Sequence, residues 1–226
     1  EFTPETSKVI AEIISEAFDP TEVTVFTGGP EVGQAFSALP FDHMIFTGAT
    51  NIARHILTAA ARNLVPVTLE LGGKSPVVIS RSANLEQAIE RVMLGKTLNA
   101  GQICLAPDYL LVPEEQLEEV IKLATKSVGE MYSSLRDNDQ YTAVINERHH
   151  KRLSGYLADA EQRGCRIIPL NPANEDFGNG TSKIPPTLIV SPDTDALCME
   201  EEIFGPLLPI RTYKAFDETI DYINSA

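Results

Sequence analysis

The chain has 226 residues, 43% of them hydrophobic and 22% charged, with a formal net charge of −14. This composition suits a globular protein with one sizeable core or two smaller ones, and so acidic a chain is a poor partner for nucleic acid or an anionic membrane surface. Apolar stretches such as Pro76-Val77-Val78-Ile79 are strand-sized, well short of the roughly 20 residues that a membrane span needs. Thr6 to Ala17 reads as a helix, with Val9, Ile10, Ile13, Ile14 and Ala17 on one face. Val23 to Phe26 reads as a strand, followed by a turn at Gly28-Gly29-Pro30 and a short helix from about Glu31. Met44-Ile45-Phe46 is the next strand, and a helix from about Asn51 to Asn63 leads to the strand Val67 to Glu70. This βαβαβ rhythm with apolar strands predicts a parallel sheet covered on both faces.

Leu71-Gly72-Gly73 breaks the rhythm and is the expected domain boundary. A strand then starts at Pro76, and a helix near Asn84, whose side chain can cap it with Gln87 three residues on. That helix turns Leu85, Ile89, Val92 and Met93 inward. Tyr109 to Val112 reads as a strand, and an acidic helix from Glu114 buries Leu117, Val120, Ile121 and Ala124. A helix from about Glu147 to Arg163 stops at Gly164, a natural C-cap, and Cys165 to Leu170 follows as a strand. Asn171 to Lys183 is a polar loop. Pro186 to Val190 and Leu207 to Tyr213 are the remaining strands, and Asp217 to Ser225 is a helix. The chain opens at Glu1-Phe2-Thr3-Pro4, close to a helix, and stops just after one, as expected of a piece of a longer protein. No charged-then-apolar leader opens it.

Cys104, Cys165 and Cys198 are an odd, sparse set, which argues against a disulfide framework and for a reducing compartment; the expected location is cytoplasmic. The four histidines show no metal spacing with the cysteines, and His149-His150 is expected on a solvated helix face. No metal site is expected. Cys104 follows Asn99-Ala100-Gly101-Gln102, a small and flexible approach that would let a substrate reach the backbone. Its N–H could face a developing oxyanion. Taken alone, a packing role is the commoner one for a free cysteine, and it is the reading given to Cys165 and Cys198. Glu70 ends an apolar strand, where ligands of parallel sheets bind, and partial burial would suit it as a general base; a carboxylate simply facing water is the alternative. Gly28-Gly29-Pro30-Glu31-Val32-Gly33 and Thr47-Gly48-Ala49-Thr50 each join a strand to a helix, either as plain turns or as turns that aim a helix N-terminus at a phosphate. Glu200-Glu201-Glu202-Ile203-Phe204-Gly205-Pro206 is either a solvated acidic loop or a loop in which a carboxylate grips a sugar hydroxyl beside an aromatic ring.

In order, Phe46-Thr47-Gly48-Ala49-Thr50, Leu69-Glu70-Leu71-Gly72-Gly73-Lys74-Ser75-Pro76, Gly101-Gln102-Ile103-Cys104 and Glu202-Ile203-Phe204-Gly205-Pro206 resemble the signature motifs of the aldehyde dehydrogenase superfamily, across essentially the whole chain. Gly28-Gly29, Phe41-Asp42-His43 and Cys104-Leu105-Ala106-Pro107-Asp108-Tyr109 resemble its fatty and aromatic aldehyde branch, the coniferyl aldehyde enzymes included. The resemblance implies an α/β fold, with part of a Rossmann-type parallel sheet followed by an α/β catalytic domain. Residues 1–71 would be the C-terminal part of an NAD(P)-binding domain. Residues 72–226 would be a catalytic domain cut short at its C-terminal end.

The implied activity is NAD- or NADP-dependent oxidation of an aldehyde, aromatic such as coniferaldehyde or fatty, to the acid. Cys104 would be the nucleophile and Glu70 the base. Gly29, Gly33, Gly48, Ala49, Leu71, Glu202 (nicotinamide ribose) and Phe204 (nicotinamide side) would bind cofactor. Glu1 aligns with a carboxylate that grips the adenosine ribose. The implied partners are a small aldehyde and further copies of the subunit, as a homodimer or homotetramer. Ala49 stands where the family usually has serine, so a hydroxyl contact to phosphate is lost, and Ala53 stands where a glycine is expected. The family asparagine that shares the oxyanion hole would lie upstream of Glu1. Three alternatives remain: a coenzyme A-acylating relative, disfavoured by Glu70; a silent member of the fold, disfavoured by Cys104 with Glu70; and a thiol hydrolase that needs no nucleotide.

Overall fold

The computed structural model describes residues 1–178 and 180–225. The chain divides into two compact units, Glu1–Gly72 and Gly73–Ala226.

The first unit contains α1 (Pro4–Ala17), α2 (Pro30–Ser37), β1 (Met44–Thr47), α3 (Thr50–Ala61) and β2 (Val67–Glu70). Proline stands at the start of α1 and of α2, where its missing N–H costs no helix hydrogen bond. β1 and β2 pair in parallel, Met44 opposite Val67 and Thr47 opposite Glu70, with α3 as the crossover. Met44, Ala60 and Val65 form a small core, flanked by Phe41, Ile56 and Val67.

Two expectations fail in this unit. Val23 to Phe26 is not a strand: among the described residues it joins no sheet ladder, and the Val23 N–H turns back to the Asp19 carbonyl at 3.1 Å. The sheet is not covered on both faces: burial alternates along β1 and β2, and Ile45 remains 70% exposed. α1 buries none of its residues, so its apolar stripe is also open.

The second unit runs β3 (Pro76–Val78), α4 (Leu85–Thr97), β4 (Tyr109–Pro113), α5 (Leu117–Met131), α6 (Glu147–Gln162), β5 (Arg166–Pro169), β6 (Thr187–Val190), α7 (Leu197–Glu200), β7 (Leu207–Tyr213) and α8 (Asp217–Ser225). Its strands form one sheet in the order β3-β4-β7-β6-β5. All pairs are parallel except β5 with β6, so one antiparallel strand closes an edge. Leu110, Val112, Leu188, Val190, Leu208 and Ile210 face α4 and α5 in one core. Their chain neighbours Tyr109, Leu111, Ile189 and Leu207 face α6 and α7 in a second. The period of two thus fills both faces, and the strands read as unbroken apolar runs.

Caps fix the helix starts. Asn84 accepts from the Gln87 N–H at 3.1 Å, and Asn146 from the His149 N–H at 2.9 Å. His149 and His150 are half-buried on α6 rather than fully solvated, and Arg152 Nε donates to His149 Nδ1 at 3.4 Å. The polar loop at 171–183 stands as read, except for Asn179, which lies outside the described residues.

Candidate active site

The turn that carries Cys104 begins where α4 ends. Asn99, Ala100 and Gly101 take φ values of 51°, 53° and 71°, three left-handed residues in succession. Such backbone is unfavourable for residues with a Cβ and persists only where surroundings hold it. Gln102 supplies much of that hold. Its amide nitrogen donates to the Asn99 and Ala143 carbonyls, both at 3.0 Å, and its oxygen accepts from the Ile145 N–H at 2.9 Å. Asn99 Nδ2 returns a bond to the Gln102 carbonyl at 3.1 Å. The chain then turns over Cys104 and Leu105, closed by the Ala106 N–H on the Ile103 carbonyl at 3.0 Å. Cys104 is left exposed at the tip.

Cys165 is half-buried and Cys198 fully buried, and burial pushes the Cys198 thiol up to about 11. Of the three, Cys104 is the exposed one; the packing role read for Cys198 agrees with its burial, and Cys165 is only partly covered. Lys96 is buried beneath the turn and donates to the Pro107 carbonyl at 2.8 Å. Burial holds its ammonium down to about 7, against an upward pull from Asp108 and a further downward push from Lys74.

The second motif of this unit meets the first. A Cβ on Gly101 would lie 2.3 Å from the Gly205 carbonyl oxygen, so the cysteine turn packs directly on the Glu202–Pro206 loop. Lys74 pairs with Asp108 and also donates to the Cys198 carbonyl at 3.0 Å and the Glu201 carbonyl at 2.9 Å. Asp108 accepts from the Ile203 N–H at 2.9 Å, and its own N–H donates to the Ser75 carbonyl at 2.9 Å. Three segments distant in sequence are thus tied at one buried carboxylate. Glu202 is half-buried and Phe204 exposed with φ 44°; Glu200 and Glu201 face solvent. Tyr156 donates to the Glu201 carboxylate; burial, together with that bond, pushes its hydroxyl up to about 12.

In the first unit, Glu70 is exposed at the carboxyl end of β2, and its carbonyl accepts from the Gly48 N–H at 3.1 Å. The ends of the two parallel strands therefore bring Glu70 and Gly48 together. Leu71 is half-buried. Ala49 is the N-cap of α3 and Gly29 that of α2, and neither helix start has a side-chain cap. Gly33 lies on α2 facing open space. A cavity of about 560 Å³ in this unit is lined by residues such as Lys8, Phe18, Val23 and Val25, and none of the candidate catalytic or cofactor-binding residues lines it. Among the described residues, no three His, Cys, Asp or Glu side chains are grouped to hold a metal, and no helix is long and apolar enough to cross a membrane.

A model of the aldehyde dehydrogenase family matches residues 1–226. The chain belongs to that family. It is 58% identical, over its whole length, to a coniferyl aldehyde dehydrogenase of Pseudomonas sp. strain HR199, and covers 47% of that protein. It is 56% identical to a probable coniferyl aldehyde dehydrogenase of Caulobacter vibrioides, again over the whole chain and 47% of the relative. The chain thus spans about half the length of these curated relatives. The structure of a substrate-bound state of Staphylococcus aureus AldH superposes with a TM-score of 0.87 at 40% identity, covering all of this chain and 48% of that one. The α/β fold is the aldehyde dehydrogenase fold.

The structure brings the Cys104 turn and the acidic-aromatic loop together within the second unit, and leaves Glu70 exposed rather than partly buried. Sequence reasoning missed the bracing roles of Gln102, Lys74 and Asp108, although all three lie inside motifs that were singled out. It had no signal for Arg152, which reaches the Glu202 loop from α6 some fifty residues earlier in the chain.

Proposed function

We propose that the protein carrying this chain oxidises an aldehyde to a carboxylic acid with NAD or NADP, and that its substrates are aromatic aldehydes such as coniferaldehyde, with fatty aldehydes as the second class. The observation that carries this reading is the exposed Cys104 at the tip of a braced turn seated on the Glu202–Pro206 loop, in a chain of this family. The two coniferyl aldehyde relatives support the aromatic substrate. Residues 1–71 are proposed as the cofactor-binding part and residues 72–226 as the catalytic part.

The residues present suit a dinucleotide. Uncapped helix starts at Gly29 and Ala49 favour phosphate, and Gly33, Gly48 and Leu71 complete the proposed contacts of the first unit. Glu202 is proposed to take ribose hydroxyls and Phe204 to lie against the nicotinamide. A bound nicotinamide would supply the hydride acceptor through which the cysteine hemithioacetal becomes a thioester. Cys104 forms that hemithioacetal by adding its thiolate sulfur to the carbonyl carbon, with its own N–H facing the oxyanion. Glu70 removes a proton from water as the water oxygen attacks the thioester carbon. The carbon–sulfur bond then breaks, the acid departs and the thiolate is restored. We also propose a homodimer or homotetramer and a cytoplasmic location, the latter supported by three free cysteines.

The test uses the full-length protein with coniferaldehyde. Glu70→Gln should give a burst of reduced cofactor followed by turnover slowed about 10²-fold or more, because deacylation alone needs the base. A uniform loss without a burst would remove Glu70 from that role. Acyl-coenzyme A as the product, in place of free acid, would favour the acylating relative instead.

A further inference from the structure

The loop that holds Glu202 and Phe204 is gripped from α6. Arg152 donates from Nη1 to the Glu202 carbonyl at 3.1 Å and from Nη2 to the Ile203 carbonyl at 2.8 Å. Nη1 also reaches the Tyr156 hydroxyl at 3.0 Å, and the guanidinium lies 5.2 Å from the Tyr156 ring. Tyr156, one helical turn on, donates to the Glu201 carboxylate. With Lys74 on the Glu201 carbonyl, three consecutive carbonyls are each held by a cationic side chain. Phe204 follows in left-handed backbone at φ 44°, which a residue with a Cβ adopts only under such constraint. Arg152 is half-buried and Tyr156 buried, so the grip is built into the packing. The planar fork of arginine suits two adjacent carbonyls; lysine, a point charge, would hold one at a time.

We propose that Arg152 is a positioning residue for the cofactor: it fixes the Glu202–Ile203 backbone, with Tyr156 as its brace, and so sets where the Glu202 carboxylate and the Phe204 ring are presented. The assignment of cofactor contacts to Glu202 and Phe204 rests on the function proposed above. The grip itself does not, because it is a set of contacts within one unit.

Arg152→Met, Arg152→Lys and Tyr156→Phe are compared with wild type in the full-length protein, with three readouts. Amide hydrogen exchange across residues 201–205 should quicken about tenfold in Arg152→Met, and less in the other two. The KM for NAD should rise about tenfold in Arg152→Met with a smaller change in kcat, and Arg152→Lys should recover part of it. Alkylation of Cys104 by a neutral reagent should stay within about twofold of wild type, since the cysteine turn meets the loop at Gly205, beyond the carbonyls that Arg152 holds, and keeps its own bonds from Gln102 and Lys96. Unchanged exchange at 201–205 would overturn the grip. Cys104 alkylation lost in step with NAD affinity would overturn the positioning role in favour of a general packing one. If Arg152→Met does not fold, Arg152→Lys and Tyr156→Phe decide by the same readouts. A wild-type protein that oxidises no aldehyde would refute the proposed function, and the exchange result would still decide the grip.

Discussion

The two units are built from similar sequence patterns and end in different states. In Gly73–Ala226, alternate residues of every central strand enter one of two cores, and helices close both faces. In Glu1–Gly72, the buried hydrophobic residues are Met44, Ala53, Ala60 and Val65, while Val9, Ile10, Ile13, Phe26 and Ile45 stand open. The amphipathic stripe on α1 is as clear in the sequence as those on α4 and α5. A stripe therefore states what an element would bury, and the presence of a partner decides whether burial follows.

Three measurements on the 226-residue chain test that contrast. The largest effect is expected for core truncation. Leu208→Ala removes a residue that is 1% exposed and should cost about 2–5 kcal/mol of urea stability. Ile13→Ala, at a residue 59% exposed, should change stability by less than about 0.5 kcal/mol. A large loss at Ile13 would mean that the α1 face is covered in solution.

Next is the same substitution in both units. Gly101→Ala places a Cβ against the Gly205 carbonyl in backbone of φ 71°, and should cost about 2–4 kcal/mol. Gly33→Ala meets nothing within 4 Å inside α2, and should stabilise by about 0.5–1 kcal/mol. Equal effects at the two sites would show that close packing is not what separates the units.

The smallest effect concerns Lys96 in the core of the second unit. Its folded-state ammonium titrates at about 7 because burial disfavours the charge, whereas the unfolded chain keeps its proton up to the ordinary 10.5. Between those values the unfolded state binds more protons, so stability rises with pH across that window. The wild-type urea midpoint should rise relative to that of Lys96→Met on going from about pH 6 to about pH 9, by an amount worth more than about 1 kcal/mol. A pH-independent gap between the two would show that folded Lys96 keeps its charge throughout.

Much of the second unit was legible in advance because its signals are local. Asn84 and Asn146 cap helices within three residues, and Gly164 ends α6 with φ 80°. The unbroken apolar runs of β4, β6 and β7 announce strands buried on both faces. The segment Val23 to Phe26 carries a similar run and fails as a strand, because a ladder needs a second backbone that sequence periodicity does not supply. The left-handed turn at Asn99 and Ala100 was likewise hidden: neither residue type demands it, and long-range bonds from Gln102 hold it.

Reading the sequence named the residues to which chemistry is assigned in the proposal, through motifs that point to a family only when taken together and in order. Cys104, Glu70 and Glu202 lie at a turn, a strand end and a glycine-proline break, each ordinary on its own, and their roles are what the resemblance implies. The sequence by itself determined most helices and strands, since capping and periodicity act over a few residues. Only the tertiary structure decided how those motifs are held. Asp108 joins Lys74 to the Ile203 backbone, Gly101 seats on Gly205, and Arg152 reaches the Glu202 and Ile203 carbonyls from a helix far away in the chain. Each of these is a directional contact a few ångströms long between residues far apart in sequence, and its partner is fixed by where the folded backbone passes rather than by any neighbouring residue.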